Sequence, residues 1–79
     1  MVALIIYGSP GCQGCKLTIR KAEALGLSFD YVDVSAEVDA AAQLLAEGHR
    51  TLPVVRAGSD VWTGFRPDLL EKVARDATG

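Results

Sequence analysis

Val2-Ala3-Leu4-Ile5-Ile6-Tyr7, then Gly8-Ser9-Pro10-Gly11, then Cys12-Gln13-Gly14-Cys15 is the stretch that decides the fold. Its first six residues are a continuous apolar run rich in β-formers and read as a buried central strand. The glycine–proline cluster turns the chain. Helical spacing then takes over. Cys15, Ile19 (with Thr18), Ala22 and Leu25 share one face, Lys16, Arg20, Lys21 and Glu23 fall mostly elsewhere, and Gly26 is the C-terminal stop. A C-x-x-C pair therefore stands where a strand hands over to a helix. The first N–H groups of a helix have no partners within it, and that end of the dipole is positive. A thiolate placed there is stabilised, and its pKa falls below the free value of about 8.5. The second sulfur lies within reach of the first, so the pair can close a disulfide and reopen it. This pattern predicts thiol–disulfide exchange.

Further along the chain, Leu27, Phe29 and Tyr31 alternate with Ser28 and Asp30, and Val32 and Val34 flank Asp33. Residues 27–34 read as a strand parallel to the first, because a helix connects them. Ser35 is the expected N-cap of a second helix whose apolar face is Val38, Ala41, Ala42 and Leu45, ending at Gly48. Arg50 to Ala57 is a strand opening at Pro53. Gly58-Ser59-Asp60 turns it into a hairpin partner, Val61-Trp62-Thr63. Gly64-Phe65-Arg66 bridges to a last helix with Pro67 at its first position and Leu69, Leu70, Val73, Ala74 and Ala77 on its core face. Asp68 and Glu71 fall early in it and Lys72 and Arg75 late, as the helix dipole favours. The order is β-α-β-α-β-β-α. Its economical solution is an α/β fold: a right-handed parallel β-α-β unit, an antiparallel hairpin added to the same sheet, and three helices flanking the four strands. The first and third helices are expected on one face and the second on the other. This resembles the thioredoxin-like architecture in its smallest form, a single domain over residues 1–79.

Composition narrows the function. Eight Lys and Arg against ten Asp and Glu give a net charge of −2, and no basic stripe or aromatic cluster favours nucleic acid. The run from Val2 to Tyr7 is far too short for a membrane span, and no basic segment precedes it. A small secreted domain usually carries more cysteines than two, so the cytoplasm is the expected compartment. A closed structural zinc site wants four ligands, whereas the candidates here are two cysteines and His49, a residue read as lying on the surface. No metal and no bound cofactor are expected.

Three separated features coincide with one family: Cys12-Gln13-Gly14-Cys15, Thr51-Leu52-Pro53-Val54-Val55, and Trp62-Thr63-Gly64-Phe65-Arg66-Pro67-Asp68. Together they resemble the NrdH-redoxins, which are glutaredoxin-like in sequence and thioredoxin-like in their reducing partner. The resemblance covers essentially the whole chain, and the Trp-Thr-Gly-Phe-Arg-Pro run is its specific part. The dipeptide between the cysteines departs from the family, which more commonly has a larger apolar residue followed by Gln.

The resemblance implies a disulfide reductase that takes electrons from thioredoxin reductase and passes them to the C-terminal tail of a ribonucleotide reductase. NADPH and flavin belong to the reductase. Cys12 would be the nucleophile and Cys15 the resolving thiol, with Gln13 and Gly14 tuning them and Lys16 in a supporting place. It further implies a cis bond before Pro53, with Leu52 and Thr51 offering main chain to an extended substrate peptide. Glutathione-binding glutaredoxins have a glycine pair at the start of the last helix. The run here has none, and Phe65, Arg66 and Pro67 are expected to fill or stiffen that groove, so little glutathione binding is expected. Trp62, with Thr63 and Gly64 beside it, reads equally well as core packing or as a docking surface near the cysteines. The competing functions are a glutathione-coupled glutaredoxin, a general protein disulfide reductase, and a non-catalytic metal- or iron–sulfur-binding module on the same fold. The chain is expected to be a monomer.

Overall fold

The computed structural model describes residues 2–78. Seven elements follow the expected order: β1 (Leu4–Gly8), α1 (Gln13–Ala24), β2 (Phe29–Asp33), α2 (Val38–Ala46), β3 (Val54–Ala57), β4 (Asp60–Thr63) and α3 (Pro67–Thr78). They build one four-stranded sheet in the order β2-β1-β3-β4. β1 pairs parallel with β2 and antiparallel with β3, and β3 pairs antiparallel with β4. This is the mixed sheet and thioredoxin-like fold that the sequence predicts.

The central place of β1 follows from its side chains. Leu4 and Ile6 are fully buried and point to one face, where they meet Ala22 of α1, Leu70 of α3, Val55 and Trp62. Val54, one residue earlier on β3, points to the other face and lines a cavity with Ala41 and Leu44 of α2. The helices therefore divide as expected, α1 and α3 against α2. Arg56 fastens α2 down: its guanidinium donates to Glu47, the C-cap of α2, at 2.8 Å and lies 5.9 Å from the centre of the Tyr7 ring. That hydrogen bond, more than the nearby charge itself, holds the Glu47 carboxyl below its ordinary pKa.

Three expectations are corrected. Ser35 does not cap α2. The Asp33 carboxylate takes both its N–H, at 2.9 Å, and its hydroxyl, at 2.6 Å, so the chain makes an Asx turn first. The helix begins only at Val38, with Glu37 as an N-cap that makes no side-chain bond. The buried face of α2 is also turned from the expected one. Leu44 is buried, while Val38 and Leu45 are 73% and 61% exposed. Leu44 is the one turned fully to the sheet, while Leu45 only borders the cavity beneath the helix. Third, Ala77 is exposed, although Leu69, Leu70, Val73 and Ala74 form the core face as expected. Of the two readings open for Trp62, core packing holds: 9% of its surface is exposed. Alternation on β4 turns it inward, between Val61 and Thr63, which face solvent.

Candidate active site

The site is assembled at the C-terminal end of β1. Cys12 is the N-cap of α1, and its sulfur accepts the Cys15 backbone N–H at 3.2 Å. One orphan donor of the first turn is thus aimed at a sulfur, the arrangement that favours a thiolate there. The two cysteines are joined as a disulfide with their Cα atoms 5.2 Å apart. They are unequal in access: Cys12 is half-buried and Cys15 only 2% exposed. Below them, the buried Thr18 hydroxyl donates to the Gly14 carbonyl at 2.8 Å.

Two glycines allow the elements to close on the sulfurs. A Cβ at Gly8 would lie 2.7 Å from Cys15 Sγ and 3.0 Å from the Tyr31 ring edge and hydroxyl. The last residue of β1 must therefore be bare for Cys15 and Tyr31 both to pack over it. A Cβ at Gly14 would lie 3.0 Å from Cδ of Pro53. The expected cis bond between Leu52 and Pro53 is present, and the buried proline ring packs against the cysteine motif. The Gly64 N–H donates to the Pro53 carbonyl at 2.8 Å, which ties the loop before α3 to the proline loop.

The proline loop therefore reaches the cysteine motif, and the loop before α3 is tied to that loop in turn. Thr51 is exposed and Leu52 half-buried, and both border a cavity of about 150 Å³ that Leu44, Leu45 and Val54 also line. Gln13, Lys16 and Thr63 are exposed. Phe65 packs its partly buried ring on the core cluster. Arg66 makes two hydrogen bonds to Asp68, at 3.2 and 3.0 Å, across the start of α3. Those bonds lower the Asp68 pKa and raise that of Arg66. Gly8, Thr18 and Tyr31 are site residues that sequence reasoning missed. Gly8 has a faint signal, a glycine ending a buried strand two residues before a Pro-Gly turn. Tyr31 has none beyond its place in a strand.

Among the described residues no group of three or more His, Cys, Asp or Glu side chains could hold a metal ion. No helix there is long and apolar enough to cross a membrane.

A dithiol pair at the N-terminus of a helix, against a cis-proline loop, defines a thiol–disulfide oxidoreductase of the thioredoxin fold. The glutaredoxin family model matches residues 4–62. The glutaredoxin-like protein NrdH of Salmonella typhimurium is 42% identical over 72 residues, which span 91% of this chain and 89% of that protein. Its namesake from Escherichia coli is 40% identical over 70 residues, 89% and 86% of the two chains. A solved structure of the E. coli NrdH-redoxin, described as having a thioredoxin-like activity profile, superposes with a TM-score of 0.85, at 40% identity and over 87% and 91% of the chains. A buckwheat glutaredoxin in complex with glutathione superposes at 0.69 with 25% identity, over 96% of this chain and 71% of that one. The chain belongs to the glutaredoxin family and, within it, to the glutaredoxin-like NrdH proteins.

Proposed function

We propose that this chain is a cytoplasmic, monomeric electron carrier, acting as one domain over residues 1–79. Thioredoxin reductase reduces it, and it in turn reduces the C-terminal tail of a ribonucleotide reductase. The observation that carries this reading is the asymmetry of the cysteines. Cys12 is reachable and caps the helix, while Cys15 is buried one turn in. The Cys12 thiolate attacks a sulfur of the substrate disulfide, forming a mixed disulfide and releasing one substrate thiolate. The Cys15 thiolate then attacks Cys12, releasing the second substrate thiol and leaving the Cys12–Cys15 disulfide. Two electrons have moved to the substrate, and the reductase restores them. The main chain of Thr51 and Leu52, beside the cis proline, offers an extended peptide a β-type edge, with Gln13, Gly14 and Gly64 around it. Thr63, Lys16 and Arg66 lie on the rim.

Two facts support a protein rather than a glutathione partner. Pro67 opens α3 without an N–H to give, and the Asp68 carboxylate is already engaged by Arg66. The thioredoxin-like activity profile named for the E. coli relative points the same way.

A coupled NADPH assay with thioredoxin reductase and a disulfide substrate tests this. Wild type turns over, Cys12→Ser does not, and Cys15→Ser accumulates a mixed disulfide with its substrate. Turnover by either variant, or efficient turnover of wild type with glutathione and glutathione reductase alone, would refute the reading.

A further inference from the structure

Cys15 has a chemical difficulty that Cys12 does not share. Burial disfavours the charged form of a thiol, and the helix dipole weakens within the first turn. Yet Cys15 must become a thiolate to resolve a mixed disulfide. The nearby Thr18 hydroxyl is committed to the Gly14 carbonyl. The hydroxyl of Tyr31, by contrast, sits with Cys15 Sγ over the bare face of Gly8, both atoms within 3.0 Å of the point where a Cβ would be. The register places it there. Tyr31 pairs with Ile6, two residues before Gly8 on the same face, and its ring leans over the end of β1. Tyr31 is also 41% exposed and borders an open cavity with Asp33 and Glu37, so its outer side is in contact with water.

We infer that the Tyr31 hydroxyl is the proton-handling partner of Cys15, donating a hydrogen bond to its thiolate and passing its proton to solvent in the resolving step. This rests on the reading of Cys15 as the resolving thiol. In that step the Cys15 proton leaves across the hydroxyl to water, and the Cys15–Cys12 S–S bond forms. The Cys12–substrate S–S bond breaks, and the substrate thiolate takes a proton from water. The ionisable groups beside Tyr31 are Cys15 from α1, Asp33 from β2 and Glu37 from the turn before α2, while β1 contributes Gly8, which has none. Burial and, secondarily, the Asp33 charge raise the phenol pKa above its ordinary value. The hydroxyl therefore keeps its proton at neutral pH and acts as a donor.

The test uses two single-thiol proteins. With Cys12→Ala, the ultraviolet absorbance of the Cys15 thiolate is followed against pH, with and without Tyr31→Phe. Loss of one charge-assisted hydrogen bond raises the Cys15 pKa by about one unit. With Cys15→Ala, the Cys12 titration is the same in both versions. In the dithiol protein, Tyr31→Phe slows resolution of a preformed mixed disulfide at neutral pH by about tenfold, the loss of thiolate that one unit implies. The first attack on substrate keeps its rate. Tyr31→Phe retains the ring over Gly8, and a thermal melt matching wild type checks that packing survives. An unchanged Cys15 titration, or equal slowing of both steps, overturns the role of Tyr31 while leaving the two-cysteine mechanism intact. Turnover by Cys15→Ser overturns both.

Discussion

Substituting Gly8→Ala places a methyl group into the most crowded point of the site. The new carbon would stand 2.7 Å from Cys15 Sγ and 3.0 Å from two atoms of Tyr31. Non-bonded heavy atoms settle at about 3.5–4.0 Å, so the sulfur contact is roughly 1 Å too short. Tyr31 is 41% exposed and its ring can swing outward, but Cys15 and the strand do not yield easily. Cys15 is fixed by the buried face of α1 and by its disulfide, and β1 lies between two paired strands. Overpacking of this kind costs about 1–3 kcal/mol. The alanine returns about 0.5–1 kcal/mol, because glycine weakens a strand. The net destabilisation is centred on about 1 kcal/mol, which for a domain of this size lowers Tm by roughly 4–8 °C. Thermal melts followed by circular dichroism on the oxidised and reduced proteins measure it. The oxidised form falls further, since a free Cys15 thiol can turn away from the methyl and a bonded sulfur cannot. A Tm that is unchanged or raised in both redox states would show that the close approach of β1, Cys15 and Tyr31 does not exist.

Gly14→Ala gains about 1 kcal/mol of helix propensity but presses a Cβ to 3.0 Å from Pro53 Cδ. Stability therefore changes little, while turnover with a protein disulfide drops as the proline loop moves; unaltered kinetics in the coupled assay would contradict this. Trp62 carries a buried indole N–H with no hydrogen-bond partner. Trp62→Phe removes that unsatisfied donor and so costs well below the roughly 3–5 kcal/mol of Trp62→Ala, a gap that urea denaturation reads directly. Glu47 has a folded-state pKa lowered first by the hydrogen bond from Arg56. Its stabilising contribution is present above the unfolded carboxylate pKa and is lost as pH falls through the folded value. The stability difference between wild type and Glu47→Gln is therefore present at neutral pH and closes on acidification. It is small and salt-sensitive because the pair is exposed. A difference that stays constant from neutral to acid pH would count against the Arg56–Glu47 pair.

Much of the architecture was legible because its signals are local. A run of β-formers ending in a Gly-Pro turn, a helical period beginning at Cys12, and Pro67 at a helix start each follow from a few neighbouring residues. The elements fell where those signals put them. The misreadings share one cause. Ser35 was an available cap, but Asp33 competed for its N–H and hydroxyl. The face of α2 was read through Val38 and Leu45 where Leu44 is the buried residue, and Trp62 had two environments open to it. In each case local chemistry left two options of similar energy, and contacts from distant parts of the chain selected one.

The site divides along the same line. That two cysteines share the first turn of a helix follows from the C-x-x-C spacing and the helix period, which are properties of adjacent residues. The sequence also carried, through the Trp62–Asp68 run, the family to which the chain belongs. What surrounds the sulfurs depends instead on contacts between distant parts of the chain. Pro53 reaches Gly14 across nearly forty positions because β3 lies beside β1 in the sheet, and Tyr31 reaches Cys15 because β2 lies on its other side. Side-chain identity states which chemistry is available. Strand order and register state which groups stand close enough to take part.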